Sequence, residues 1–246
     1  MIPVSATTSP ATTLTTTFHH GWIGRFNAWF FDTFDRYINA VSRRHKQRAF
    51  ADIGPGTVLE IGAGVGANFD FLAPGTHLVA VEPNEAMHAR LTRRARERHM
   101  DLELVAAPAE DLPVPDDSVD TVICSLVLCT VEDPAAAIWE IRRVLRPGGT
   151  FRFVEHVAAP PLSPRRWVQT VLRRPWSWLF DGCQLCRHTG ALIDAAGFAD
   201  VDVQRSRFRF SVFVPVNTVV SGRAVEPAVG RPTPPWDRAR IGAASP

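Results

Sequence analysis

Val58-Leu59-Glu60-Ile61-Gly62-Ala63-Gly64-Val65-Gly66 is a short apolar run that ends in glycines. The run is too short for a buried helix and suits a strand covered on both faces. The glycines let the backbone turn sharply and come close to a ligand. A helical pattern resumes from Asn68. Outward from this stretch, strand-like runs at His77 to Val81, Leu102 to Ala106, Thr121 to Ser125 and Phe151 to Glu155 alternate with helical patterns, which predicts a parallel sheet with crossover helices. The helix before the last of these runs is marked by Asp133 as N-cap and Pro134 at the first helical position. Ile138, Ile141, Val144 and Leu145 lie on one of its faces, and Gly148-Gly149 reads as the stop. A further helix from Thr189 to Ala196 ends at Gly197, and two β-rich runs, Val201 to Phe210 and Val212 to Val225, finish the sheet. The fold class expected is α/β: a doubly wound, mostly parallel seven-stranded sheet with helices on both faces.

At 246 residues and 46% hydrophobic content, the chain buries a full-sized core and suits one α/β domain with extensions. That domain is expected over 54–226. Before it, segment 18–53 contains Phe26, Trp29, Phe30, Phe34, Tyr37 and Val41 at helical spacing and closes on Arg43, Arg44, His45, Lys46 and Arg48, which predicts an aromatic amphipathic helix from Trp22 to Arg48. Residues 1–17 and 227–246 lack periodicity and read as disordered tails. A net charge of +2, from 27 basic and 25 acidic residues, creates no global field to gather nucleic acid. Apolar runs stay short of a membrane span and the first residues lack the layout of a secretory leader, so the expected location is cytoplasmic, with peripheral membrane contact left open. Of the cysteines, Cys183 and Cys186 form a C-x-x-C and Cys124 sits in an apolar run as a small hydrophobe would. Zinc wants four convergent ligands where one close pair is offered, so no metal is expected.

A glycine turn after the first strand, with an acid near the end of the second, binds an adenosine group where the strand order reverses. Glu82, about 20 residues after Gly62, is that acid, and its carboxylate suits two ribose hydroxyls. Gly62-x-Gly64-x-x-Ala67 also satisfies the relaxed dinucleotide pattern, so the loop alone does not choose between chemistries. Glu60 does. A carboxylate there suits a cationic amino group and a sulfonium, and repels a pyrophosphate. The segment Ala107 to Asp120 places Glu110 and Asp111 where an adenine amino group would arrive, and Leu145-Arg146-Pro147-Gly148-Gly149 forms a tight turn into the fifth strand.

With E-I-G-A-G-V-G, V-E-P-N, A-E-D-L-P-V-P-D-D-S-V-D and V-L-R-P-G-G in this order, residues 54–155 resemble the class I S-adenosylmethionine-dependent methyltransferases. Within them, L-V-L-C-T-V (126–131), F-V-E-H-V-A (153–158) and L-F-D-G-C (179–183) resemble the methyltransferase-like family of animal thiol methyltransferases and its bacterial relatives. The cofactor implied is S-adenosylmethionine. By this resemblance Glu60, Gly62, Ala63, Gly64, Gly66 and Glu82 hold methionine and ribose, Ala109 and Glu110 the adenine, and Ser125 with Leu126 the rim near the transferable methyl. The family's animal members carry an apolar N-terminal anchor, where this chain has the aromatic segment at 22–48.

Methyl transfer from a sulfonium needs alignment and exclusion of water more than acid–base help. Any base should lie past the fourth or fifth strand, which nominates Glu155, His156 and Asp181. A neutral His156 would raise the thiolate fraction of a thiol acceptor. Trp22, Trp29, Phe30, Phe31, Trp167, Trp176 and Trp178 suit an apolar lid over a small lipophilic acceptor. A thiol, a phospholipid amine (phosphatidylethanolamine) and a quinone-type ring all remain open as that acceptor. The rivals of another class are an NAD-dependent oxidoreductase, which lacks a Tyr-x-x-x-Lys pair here because the one tyrosine is Tyr37, and a protein that binds the cofactor without turnover. The oligomeric state is not specified by these patterns.

Overall fold

The structure, a computed structural model, describes residues 21–229. The bulk of both predicted tails lies outside them. A long helix, α1 (Gly21–Ala49), leads into β1 (Thr57–Ile61), a single 3₁₀ turn (Phe69–Phe71), β2 (His77–Val81), α2 (Glu85–Glu97), β3 (Asp101–Val105) and β4 (Val119–Ser125). Then come α3 (Pro134–Val144), β5 (Leu145–His156), α4 (Pro164–Leu179), α5 (Thr189–Ala195), β6 (Asp200–Arg207), a second 3₁₀ turn (Val214–Val216) and β7 (Thr218–Val225). The seven strands form one sheet in the order β3-β2-β1-β4-β5-β7-β6, parallel except for β7, which runs antiparallel to both neighbours. The strand order reverses between β1 and β4, so Ile61 and Ser125 end side by side at the place where such sheets bind ligands.

Alternation along the central strands builds two cores. Leu59, Ile61, Val122, Cys124, Phe151 and Phe153 face one way, onto Ile138, Ile141 and Val144 of α3 and Ile193 of α5. Val58, Leu78, Ala80, Ile123 and Val154 face the other, onto Ala49, Phe69, Leu91 and Ala95. A strand buried on both faces reads as a continuous apolar run, which is how Val58 to Ile61 appears in the sequence. Across the second core, α1 is tied to α2 by Asp32–Arg90 at 2.7 Å and Asp35–Arg94 at 2.8 Å.

Three local expectations are corrected. After Asn68 there is one 3₁₀ turn and no crossover helix, because Pro74-Gly75 ends the segment. A pyrophosphate therefore lacks the helix N-terminus it normally uses after β1, which counts against the dinucleotide reading. Gly148-Gly149 does not stop α3. The helix is capped by the Asp133 side chain as expected but ends at Val144, and Leu145 already pairs with Val119. Residues 146–149 bulge out before Thr150 pairs with Thr121, and a Cβ at Gly149 would sit 2.8 Å from the Arg146 carbonyl oxygen. Finally, the run Val212 to Val225 splits, because Pro215 lies in the 3₁₀ turn and β7 starts only at Thr218. No helix among the described residues is long and apolar enough to cross a membrane.

Candidate functional site

A cavity of about 280 Å³ opens where the carboxyl ends of β1 and β4 diverge. The glycine loop forms one wall. Gly62 has φ +62, and a Cβ on it would lie 2.4 Å from the Val127 side chain, so only glycine lets the loop pass this close to the turn after β4. Glu82 clasps the loop from β2: its Oε2 accepts the Gly64 amide at 2.8 Å and its Oε1 accepts the Asn84 amide at 2.8 Å. Gly62, Ala63, Gly64, Glu82, Ser125, Leu126, His156 and Asp181, eight of the residues singled out from the sequence, line this cavity together. Leu126 has φ +62, a strained setting for leucine, held by the hydrogen bond its N–H donates to the Val154 carbonyl at 2.9 Å. Ser125 Oγ is buried without a hydrogen-bond partner in the protein.

The other five lie elsewhere. Glu60 is 0% exposed and sits behind the wall, where Asn68 Nδ2 donates to its Oε1 at 2.7 Å. It is Asn68 that reaches the cavity, with Oδ1 buried and unpartnered. Gly66 packs beneath the loop against the Phe69 ring. Ala109 belongs to the α3-side core, and Glu110 Oε1 accepts the Asp133 amide at 3.2 Å, so neither lines the cavity. Glu155 is also 0% exposed, and its Oε1 accepts from the Val127 amide at 3.0 Å and from the Cys124 thiol at 3.3 Å. It positions the turn after β4. The structure does not set it where a base would meet an acceptor.

Burial raises the Glu60 carboxyl from its ordinary 4.5 to about 7, with the Asn68 hydrogen bond and the Lys46 charge working the other way. Lys46, one of the basic run that closes the helix, is 2% exposed on the inner face of α1. Its Nζ donates to Asn39 Oδ1 at 2.8 Å, and burial draws its pKa down to about 8. It lines the cavity with Asn68, so an ammonium and an amide oxygen stand near the glycine loop.

The far end is sulfur-rich. His156 Nε2 lies 3.1 Å from Cys183 Sγ, and Cys183 Sγ lies 3.7 Å from Cys129 Sγ. All three residues are buried and line the cavity. The Cys129 thiol, through its hydrogen bond, draws the Cys183 pKa down against the effect of burial. Burial pulls the His156 imidazole downward, but Cys129 and Glu155 carry it above its ordinary value. The C-x-x-C spacing had drawn attention to Cys186, yet the fold pairs Cys183 with Cys129, 54 residues away. Over the opening, Phe30 of α1 packs edge-on against Phe180 and Phe213 at 5.1 and 5.8 Å between centroids. Phe30, Phe31 and Trp176 cover the cavity, while Trp22, Trp29, Trp167 and Trp178 point to solvent outside it.

Comparison with known proteins agrees with this geometry. The family described as "Methyltransferase domain" matches residues 59–153. Human Thiol S-methyltransferase TMT1B is 39% identical over 176 residues, 70% of this chain and 72% of the relative. Human Thiol S-methyltransferase TMT1A is 41% identical over 151 residues, covering 60% and 62%. Among solved structures, an S-adenosylmethionine-dependent methyltransferase from Thermotoga maritima superposes with a TM-score of 0.58 at 21% identity, covering 83% of this chain and 99% of that one, which speaks to the fold. Fold, site and sequence together place the chain in the class I S-adenosylmethionine-dependent methyltransferases, in the family of TMT1A and TMT1B, and S-adenosylmethionine is its cofactor.

Proposed function

We propose that this methyltransferase methylates the sulfur of a small lipophilic thiol. The observation that carries the proposal is the continuity of one cavity, whose polar end is the glycine loop with Glu82, Asn68 and Lys46 and whose apolar end reaches Cys129, His156 and Cys183 under aromatic rings. The two human relatives named above are themselves thiol S-methyltransferases. The cofactor supplies an electrophilic methyl group on a sulfonium. Toward it, the Glu82 carboxylate accepts from the ribose hydroxyls, Lys46 pairs with the amino-acid carboxylate, and Asn68 Oδ1, held in place by Glu60, accepts from the ammonium. Ser125 and Leu126 form the rim between the two ends of the cavity. Phe30, Phe180 and Phe213 exclude water, so a thiolate held there is a stronger nucleophile than in solution. His156 is already engaged with sulfur through Nε2, and acts together with the cysteines instead of as an isolated base. An incubation with labelled methyl donor and separate thiols, amines and phenols tests the reading. Label in alkyl or aryl thioethers is expected, and transfer to phosphatidylethanolamine or a quinol with none to any thiol would refute it.

A second expectation concerns pH. With Glu60 at about 7, a ligand bearing an ammonium must displace a proton below that value and need not above it. Affinity for S-adenosylmethionine should therefore rise from pH 6 toward pH 8 as Glu60 ionises, and fall again beyond it as Lys46, drawn down to about 8, loses the charge that meets the carboxylate. In Glu60→Gln the rise should flatten, because the amide keeps the Asn68 contact and cannot titrate. A pH-independent dissociation constant in the unaltered protein would show that Glu60 does not sense the ligand's charge.

A further inference from the structure

We infer that Cys129, His156 and Cys183 form a three-ligand site for a thiophilic divalent cation, zinc above all, whose open fourth position receives the sulfur of the acceptor; this rests on the proposed thiol reading. The ligand atoms of the three residues lie within 4.8 Å of one another at the acceptor end of the cavity. In a tetrahedral zinc site with bonds of about 2.3 Å to sulfur and about 2.0 Å to nitrogen, two sulfurs stand about 3.8 Å apart and a sulfur and a nitrogen about 3.5 Å. The structure has 3.7 Å between the sulfurs and 3.1 Å between His156 Nε2 and Cys183 Sγ, each within half an ångström of those separations, and the third pair lies within 4.8 Å.

The three residues come from separate parts of the chain: the turn after β4, the end of β5, and the segment following α4. Each lies in one of the three motifs that distinguish the narrower resemblance, L-V-L-C-T-V, F-V-E-H-V-A and L-F-D-G-C. A chain that merely needed small buried side chains would have no reason to converge two soft donors and an imidazole at one point. Two thiolates and an imidazole select zinc over magnesium or calcium, and three protein ligands with a vacant position are the arrangement of sites that bind substrate. The vacant position is supplied by the cavity, since all three residues line it together with Ser125 and Leu126.

The charges and atoms balance. Two cysteine thiolates neutralise the dication. The acceptor RSH binds as RS⁻, its proton leaving to buffer, and gives the site one negative charge opposite the one positive charge of the sulfonium. A carbon–sulfur bond forms between RS⁻ and the methyl group as the donor's methyl–sulfur bond breaks. The products are RSCH₃, which is a poor ligand and leaves, and S-adenosylhomocysteine, with the metal site neutral again and no electrons gained or lost.

The test uses chelator-treated full-length protein kept reduced with a phosphine and titrated with Co²⁺, with no methyl donor present. One equivalent should bind, with thiolate-to-cobalt charge-transfer absorption and tetrahedral ligand-field bands that Zn²⁺ abolishes. Cys129→Ala and Cys183→Ala should each weaken binding by about a hundredfold or more, while Cys186→Ala leaves it unchanged. Adding ethanethiol should alter the bands as sulfur fills the fourth position. Absence of the charge-transfer absorption in the folded, unaltered protein, or a Cys129–Cys183 disulfide that persists under the phosphine, would overturn the site. Bands indifferent to ethanethiol would overturn its role as acceptor ligand. Thiol methylation at full rate by metal-free protein would remove the metal and leave the thiol reading standing, whereas a cobalt site in a protein that methylates no thiol would remove the thiol reading.

Discussion

Arg142→Ala is expected to destabilise the protein by about 3 to 5 kcal/mol in urea unfolding. Arg142 Nε donates to Glu226 Oε2 at 2.8 Å and one Nη to Oε1 at 2.8 Å, a fork-to-fork pair whose side chains are only 4% and 1% exposed. The remaining Nη donates to the Ala196 carbonyl at 2.7 Å, and the guanidinium lies over the Phe198 ring. One side chain on α3 thus fastens the end of α5 and the chain leaving β7. Removing it takes away two charge-assisted hydrogen bonds from a carboxylate in a place water does not reach, and that lost compensation accounts for most of the cost. Replacing both partners with apolar residues should recover much of the loss. If the single variant loses less than about 1 kcal/mol, water must reach Glu226 and the pair is not sealed.

Glu82→Ala is expected to weaken S-adenosylmethionine binding by about 1.5 to 3 kcal/mol, roughly a ten- to hundredfold rise in dissociation constant by calorimetry. Two effects add. The carboxylate already holds the Gly64 and Asn84 amides, so its loss loosens the loop that must fit the ligand, and it removes the acceptor proposed for the ribose. Glu82→Gln keeps one acceptor oxygen and should fall between the two. The core strands do not depend on this side chain, so the variant should remain folded. A folded variant with unchanged affinity would move the ribose elsewhere.

Much of this architecture is legible in the sequence because parallel strands buried on both faces leave unbroken apolar runs, and Asp133-Pro134 marks a helix start by its own chemistry. The glycine loop and Glu82 are legible for the same reason: they are local. Lys46 was not. Its place in Arg43-Arg44-His45-Lys46 looks like a solvated end, and only the helix turning against the sheet buries it. Spacing alone gives Glu60 a direct contact, since it carries no account of Asn68 standing between that carboxyl and the cavity. The Cys129–His156–Cys183 cluster escaped because C-x-x-C is a local signal, while convergence across 54 residues is a property of the sheet order.

The aromatic stripe on α1 has its partners far along the chain. Phe30 meets Phe180 and Phe213, and the carbonyl of Ala49, the last residue of α1, meets Arg152. On a ribosome adding 5 to 20 residues per second, Phe30 is made roughly ten to forty seconds before Phe213. The helix that closes the cavity is thus synthesised early and docked late. Through that interval its rings have only one another for company, and the nascent helix carries an apolar face of the kind that makes partly made chains prone to aggregate until the last strands arrive.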